Sequence, residues 1–372
     1  MSKILYLVDT FAILGGLERV LADKMNWLSQ HGFHISLLTV NQGSHPLAYP
    51  LHKDIDVSNM DILFHKKYDY PLWRRPLIER SMQRRFCDAL AKQIGESSPD
   101  VIVFTHTAFV KNILKVCGCI PVVFESHSSC LYYHFEQLDM TEKLRHLYRY
   151  HYMRRGVSML ISLTKGDAKV WRRWTPRVET IPNVVHLNTT AYQSDCRSKS
   201  VIFIGRYSKQ KDVWSLMKIW RLVHQRHPDW TLNLFGDYGD QRDVLLSEIK
   251  TMDANVVIHA PTQNMAQEYL ENSMLLLTSL YEPFGLVMPE AMSYGLPVVA
   301  FDCPYGPADI ITDGVDGFLI KDRSVDDFAD KVCQLIEDED LRRRMGAAGM
   351  KSAQRYSAEN IMPIWKKLFE SM

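Results

Sequence analysis

Two glutamates, Glu282 and Glu290, bracket a turn of Pro283, Phe284 and Gly285. Pro283 and Gly285 interrupt regular structure, so the segment up to Leu286 reads as a loop. Pro289 suits a first helical position, which predicts a helix from about residue 289 with Glu290 in its first turn. Gly295 and Pro297 stop that helix after about two turns. The backbone N–H groups of Phe284, Gly285 and Leu286 then stand unpaired before a helix start, where free amides and the helix dipole favour an anion. A carboxylate on either side of such amides can accept hydrogen bonds from hydroxyls. Amides for phosphate and carboxylates for hydroxyls suit a phosphorylated polyol, most simply a sugar nucleotide.

A second loop carries cations. Gly205, Arg206 and Lys211 lie between an expected strand, Ser200 to Ile204, and a helix from about Val213. The planar fork of Arg206 and the point charge of Lys211 can hold a diphosphate from two sides. Further upstream, Glu125, Ser126 and His127 follow the apolar run Pro121 to Phe124. A polar residue at the carboxyl end of a parallel strand points into the crevice where doubly wound folds bind ligands. Gly15 and Gly16 form one more strand-to-helix turn, without the third glycine of the dinucleotide fingerprint. His146 and His151, five apart, fall on different helix faces and do not make the zinc pattern of two histidines four apart. Asp54-Ile55-Asp56 reads as surface, and Cys117 and Cys119 lack a second pair. No metal and no cofactor are expected.

Holding these loops requires a repeated strand–loop–helix unit. Lys3 to Val8 reads as a buried strand, a helix follows Gly16, and His34 to Val40 is the next strand, so a parallel sheet begins. Val101 to Phe104, Pro121 to Phe124 and Val157 to Leu163 continue it, the last closing the first half. The pattern restarts at Ser200, with strands at Trp230 to Gly236, Asn255 to His259, Met274 to Thr278 and Val298 to Phe301. A glycine-rich turn runs from Phe235 through Asp237 to Gly239 after one of these strands, and the backbone from His259 to Thr262 after the next can read a base edge. A last helix from about Ala358 carries Ile361, Ile364, Trp365 and Leu368 on one face. At 372 residues the chain suits two domains.

Composition narrows the function classes. A chain that is 46% hydrophobic and 23% charged is globular, and no apolar run reaches the roughly 18 residues of a membrane span. The N-terminus lacks a signal peptide's apolar region and cleavage site. Seven scattered cysteines suit reduced thiols in a cytosol. Residues 1–185 hold 24 Lys and Arg against 17 Asp and Glu, and the remainder 20 against 26, so the first half suits an anionic partner. Within it, residues 64–86 hold seven basic and two acidic residues with five aromatics among them. That mixture suits an anionic membrane surface. Nothing resembles a nucleic-acid-binding motif.

The spacing Glu282–Glu290 around Pro283-Phe284-Gly285, followed by Ala291-Met292, Gly295 and Pro297-Val298-Val299, resembles the retaining glycosyltransferases of family 4. Gly205-Arg206 with Lys211 resembles that family's Gly-Arg-x(4)-Lys-Gly site, with Asp212 in place of the glycine. Thr180-Ile181-Pro182-Asn183-Val184 resembles its Ile-Pro-Asn-Gly-Val, with valine for glycine at 184. The resemblance implies a GT-B fold, α/β, with two doubly wound Rossmann-like domains facing across a cleft that holds the active site. Residues 1–185 would bind the acceptor, with a C-terminal helix, 356–372, packing back on them, and residues 186–355 would bind the donor. It further implies transfer of a hexose or N-acetylhexosamine from a nucleoside-diphosphate sugar, expected to be UDP-linked, to a glycan or lipid-linked glycan with retention and without metal. Arg206 and Lys211 would neutralise the leaving diphosphate, and Glu282 would grip sugar hydroxyls beside the amides of Phe284, Gly285 and Leu286. Glu290 would bind the ribose, and Gly15 and Gly16 would let the backbone approach the diphosphate. His127 would face the sugar and acceptor. The segment from Cys130 to Phe135 with Lys143 to Arg155 reads either as the lining of an acceptor channel or as a helix surface with core aromatics. The expected setting is polysaccharide or glycoconjugate assembly in the cytoplasm, with peripheral contact at the inner membrane face. A GT-B sugar-nucleotide epimerase and a non-catalytic glycan- or nucleotide-binding subunit are the alternatives.

Overall fold

Continuous apolar runs set both sheets. The computed structural model describes residues 2–130, 138–190, 192–236, 238–262 and 264–372. The chain divides into two units, one of residues 1–184 with 361–372 and the other of residues 185–360.

The first unit contains β1 (Lys3–Val8), α1 (Gly16–Gln30), β2 (His34–Thr39), β3 (Asp56–Asn59), α2 (Arg75–Ser97), β4 (Val101–Phe104), α3 (Val110–Val116), β5 (Val122–Ser126), α4 (Met140–Gly156), β6 (Met159–Ser162), α5 (Lys165–Trp171) and β7 (Val178–Thr180). Its sheet runs β3-β2-β1-β4-β5-β6-β7, with every pair parallel. Central strands such as β4 (Val-Ile-Val-Phe) are buried throughout because helices cover both faces.

The second unit contains β8 (Ser200–Ile204), α6 (Val213–Arg226), β9 (Thr231–Phe235), α7 (Arg242–Thr251), β10 (Val256–His259), α8 (Met265–Leu270), β11 (Leu275–Leu277), α9 (Val287–Ser293), β12 (Val298–Phe301), α10 (Gly306–Ile310), β13 (Gly317–Ile320), α11 (Val325–Glu337), α12 (Glu339–Ala353) and the start of α13 (Ala358–Glu370). Its sheet, β10-β9-β8-β11-β12-β13, is also parallel. Its core joins Trp220, Phe203, Leu232, Leu276, Phe301 and Phe328. The strand order reverses beside β1 in the first sheet and beside β8 in the second, which puts the ligand crevices outside the ends of β1/β4 and β8/β11. No helix among the described residues is long and apolar enough to cross a membrane.

Four details depart from the sequence reading. β3 and β7 were not expected, and β6 is therefore not the last strand of its sheet. Both extra strands are short edges, and an edge strand needs no apolar run. Asp56 begins β3 but stays exposed. α9 starts at Val287, not Pro289; Pro289 is tolerated as its third residue because the first four N–H groups of a helix lack partners anyway. On α13 the buried face is Ile361, Met362, Trp365 and Phe369, whereas Ile364 is 45% exposed. Spacing of four carries the stripe through 361, 365 and 369 and leaves 364 outside it.

The second unit also depends on one close backbone approach. A Cβ on Gly236 would lie 2.1 Å from the Gly205 carbonyl oxygen, and the residue's φ is +142°. Gly236→Ala is expected to cost more than about 1 kcal/mol, since alanine cannot adopt that backbone without strain. A lower urea midpoint for the variant checks this; an unchanged midpoint contradicts it.

Candidate functional site

At the second unit's switch point, the loop after β8 and the loop after β11 are stitched together. Leu280 N–H donates to the Gln210 carbonyl at 2.7 Å, and Thr278 Oγ1 donates to the Lys211 carbonyl at 2.9 Å. Gln210 Nε2 donates to the Tyr281 carbonyl at 3.1 Å. These contacts bring Lys211 against Glu282: Nζ lies 2.5 Å from Oε1, which also accepts from Ser279 Oγ at 2.6 Å. The side chains are 15% and 5% exposed, so the pair is partly shielded from water. The Lys211 stem runs over Gly205, where an added Cβ would meet its Cε at 3.2 Å. Arg206, by contrast, is exposed and makes no ion pair among the described residues. One cation is therefore fixed and its neighbour is open to a ligand.

Beyond Glu282 the chain turns through Gly285, at φ +90°, into α9. Phe284 is buried edge-on against Tyr356. The N–H groups of Phe284, Gly285 and Leu286 enter no hydrogen bond among the described residues. Glu290, the fourth residue of α9, is buried, and its Oε2 accepts from Tyr269 Oη at 3.0 Å. Tyr269 stacks on Tyr294, whose hydroxyl is pushed up by burial and then by the Glu290 charge. At the ends of β9 and β10, the His259 ring stacks on Phe235 at 4.3 Å. Asp237, named above for the glycine-rich turn, lies outside the described residues, as does Gln263.

The aspartate at 212 explains how a family glycine can be replaced. Asp212 is left-handed, with φ +46°, a conformation that favours glycine and next tolerates Asn or Asp. Its carboxylate caps α6 by accepting from Ser215 N at 3.2 Å, and it pairs with Arg323 at 2.5 Å. Arg323 also donates to the carbonyls of Thr278 and Ser279 and lies 4.3 Å from the Phe301 ring centre. Neither Arg323 nor Tyr269 stood out in the sequence.

The first unit holds the remaining residues around a buried charge. His127 follows β5, and its side chain is only 7% exposed. Its Nε2 lies 3.0 Å from Glu125 Oε1, at an angle short of a hydrogen bond. Lys24, on the buried face of α1, donates to the same carboxylate, and both side chains are 1% exposed. Trp365 covers the ammonium, its ring centre 4.0 Å from Nζ, and the Tyr6 ring lies 5.4 Å away. Burial alone would raise the Glu125 pKa, but Lys24 and His127 hold it at about 2. Burial lowers the Lys24 pKa against the pull of Glu125, and raises that of Tyr6. Lys24 and its pairing with Glu125 were missed: a lysine in a helix reads as solvent-facing, and Glu125, read only as a strand-end residue facing the crevice, lies 101 residues away.

Gly15 and Gly16 sit after β1, at the first sheet's switch point. Gly15 is extended, with φ −115°, and only the flexible tip of Glu18 occupies the space of its missing Cβ. Internal packing thus gives weak reason for glycine there. Burial raises the Glu18 pKa, opposed by a hydrogen bond from its own backbone. Of the supposed acceptor channel, residues 131–137 lie outside the described residues, while Lys143 to Arg155 form part of α4. The structure thus groups Arg206, Lys211, Glu282, Phe284, Gly285, Leu286 and Glu290 in one unit, and Gly15, Gly16 and His127 in the other.

Residues 14–189 match the family model described as Glycosyltransferase Family 4, and residues 190–352 that described as Glycosyl transferases group 1. The amylovoran biosynthesis glycosyltransferase AmsD of Erwinia amylovora is 26% identical over 99% of this chain and 99% of its own. The poly(ribitol-phosphate) alpha-N-acetylglucosaminyltransferase of Staphylococcus aureus is 33% identical over 52% of this chain and 39% of its own. Among solved structures, a mutant of S. aureus TarM in complex with Fondaparinux, alpha-GlcNAc-glycerol and UDP has a TM-score of 0.81 at 17% identity, covering 99% of this chain and 100% of that one. Anabaena HepE in complex with UDP-glucose has a TM-score of 0.76 at 19% identity, covering both chains fully, 100% of each. At such identities the likeness shows the fold.

Glu125→Gln leaves the Lys24 ammonium buried without a counter-charge and is expected to destabilise by about 3–5 kcal/mol. Lys24→Met with Glu125→Gln should recover most of that loss. The Glu125 contribution is complete above its ordinary value of 4.5 and is lost as pH falls toward about 2. Urea midpoints across that window should fall for wild type more than for the double variant. A single variant as stable as wild type overturns the ion-pair account.

Proposed function

Since the chain belongs to glycosyltransferase family 4, with the GT-B fold, and is a glycosyltransferase of polysaccharide or glycoconjugate biosynthesis, we propose that it moves a hexose or N-acetylhexosamine from a UDP-sugar to a glycan or lipid-linked glycan with retention of configuration. The observation that carries this reading is the Lys211–Glu282 pair beside the exposed Arg206 and the unused amides of Phe284 to Leu286. UDP is the favoured nucleotide because TarM and HepE are structures with UDP or UDP-glucose bound.

Arg206 and Lys211 neutralise the charge that develops on the departing diphosphate, so stabilisation comes from fixed groups and needs no metal. Lys211 is already held by Glu282, so this part of the electrostatic field is in place before the donor arrives. Glu282 Oε1 holds Lys211 and Ser279, and Oε2 accepts a donor-sugar hydroxyl. Glu290, supported by Tyr269, accepts the ribose hydroxyls. Gly15 and Gly16 allow close backbone approach to the diphosphate, and His127 positions the acceptor or polarises the sugar. The leaving phosphate takes the acceptor proton.

The setting we propose is the cytoplasmic face of a membrane. Along residues 68–77, Leu72 and Trp73 are 76% and 69% exposed and Tyr68, Tyr70 and Leu77 also face solvent. Arg74 lies 4.7 Å from the Trp73 ring centre, and Arg75 5.3 Å from that of Tyr68. Exposed rings beside cations suit anionic headgroups.

With EDTA present, a hundredfold excess of UDP over its dissociation constant should stabilise wild type by about 2.7 kcal/mol. GDP and ADP should give less, and Arg206→Ala/Lys211→Ala should not respond. No response of wild type to any nucleotide sinks the donor reading, and a response that EDTA removes sinks metal independence. The anomeric proton coupling of the product, compared with the donor's, decides retention. In sedimentation with phosphatidylglycerol-containing vesicles, wild type should bind in a salt-sensitive manner and Leu72→Ser/Trp73→Ser much less. Equal binding of both to neutral vesicles contradicts the membrane proposal.

A further inference from the structure

A cavity of about 370 Å³ opens in the first unit where Asp9 follows β1, Asn41 follows β2 and His106 follows β4. It adjoins that sheet's switch point, where doubly wound folds bind ligands. Four cations line it, Lys67, Lys111, Arg145 and Arg149, against the two carboxylates Asp9 and Glu79.

The cations are not equivalent. Lys67 is paired with Glu79 at 3.1 Å, and Arg145 with Glu142 at 3.1 Å. Asp9 accepts from Asn41 Nδ2 at 2.5 Å. Arg149 and Lys111 have no carboxylate partner among the described residues. Arg149 is half-buried, and burial, then the nearby Arg145 charge, draws its pKa down. Lys111 sits 5.2 Å from the Tyr148 ring centre and 5.9 Å from that of Tyr152. His106 accepts from Ala108 N through Nδ1, and burial lowers its pKa, so it adds little positive charge near neutral pH. Glu142, the carboxylate whose charge favours Arg149, is already paired with Arg145; a half-buried guanidinium with no ion pair of its own is costly, and an anion supplied by a ligand would relieve it.

The charge continues outward. A neighbouring cavity of about 680 Å³ shares Glu79, Gln83 and Lys111 with the first, and adds Arg80, Arg84 and Lys115 against Asp88. Tyr148 and Tyr152, their hydroxyls 3.4 Å apart, give the inner cavity ring surface that can pack on a sugar face. A planar fork and an ammonium converging on one space suit phosphoryl oxygens.

We propose that this cavity binds a phosphoryl group carried by the acceptor, with Arg149 and Lys111 as its principal ligands. The proposal rests on the transferase reading and narrows its acceptor to phosphate-bearing molecules. The phosphate can belong to a lipid-linked diphosphate or to a phosphate-containing glycan. The first is relevant because α4, which supplies Arg145, Tyr148 and Arg149, also exposes Met140, Leu144 and Leu147.

The test is calorimetric titration of the full chain, saturated with UDP so that the nucleotide loops are occupied. Inorganic pyrophosphate should bind wild type, and Arg149→Gln and Lys111→Gln should each weaken it by about tenfold, a loss of about 1.4 kcal/mol. Both variants should still bind UDP, which shows that they are folded. Farnesyl diphosphate binding much more tightly than pyrophosphate, with farnesol silent, identifies the lipid-linked source; equal affinities show that the prenyl chain adds nothing and favour a phosphate-bearing glycan. Pyrophosphate that fails to bind UDP-saturated wild type, or binds both variants as tightly as wild type, overturns the proposal. Loss of UDP binding in wild type sinks the donor reading instead, and the pyrophosphate comparison can then be made without UDP.

Discussion

An ammonium held on a carboxylate, with little water around either, organises the second unit's site. Lys211 leaves the loop after β8 and Glu282 the loop after β11, so their contact spans the switch point of the sheet. Loops at such a point diverge, because the strands on either side send their helices to opposite faces. Something must bind the loops together if they are to present one surface. The Lys211–Glu282 pair does this at the side-chain level, and Thr278, Leu280 and Gln210 do it through backbone carbonyls. Arg323 adds a clamp from beyond β13, joining Asp212 to the carbonyls of Thr278 and Ser279. Remove the central pair and these other bonds still join the loops, but Lys211 and Glu282 each lose the partner that orients them.

The first unit handles charge differently. Lys24 and Glu125 are closed in completely, under Trp365 and beside Tyr6. A pair so enclosed is weak evidence for net stability, since desolvation offsets much of the attraction. Its structural effect is to fix one carboxylate beneath His127 and so limit where that ring can sit. The second unit's pair is 15% and 5% exposed and stands beside an open arginine. One pair therefore supports a neighbouring residue, and the other can itself meet a ligand.

Much of the fold was legible because parallel strands buried on both faces are continuous apolar runs. β1, β4, β8 and β12 announce themselves that way. β3 and β7 do not, since edge strands take their place from pairing rather than from composition. The loops bearing Arg206, Lys211, Glu282 and Glu290 were legible through spacing, which records a strand, a turn and a helix start together. Lys24 and Arg323 were not, because a cation's partner cannot be read from its neighbours in sequence: Glu125 lies 101 residues from Lys24, and Asp212 lies 111 from Arg323. Asp212 shows the converse. It departs from the family pattern in sequence, yet its left-handed backbone, helix cap and arginine partner make it a working substitute for glycine.

The placement of Trp365 has a consequence for biosynthesis. Residues 361–372 belong to the first unit but follow the whole of the second in the chain. At ordinary translation rates the ribosome needs roughly ten to thirty-five seconds to make the intervening segment. During that interval Lys24 has Glu125 but not the indole that later covers it. The nascent first unit therefore lacks the ring that lies over this ammonium in the finished protein. Its final consolidation is a late event, coupled to completion of the second unit's synthesis.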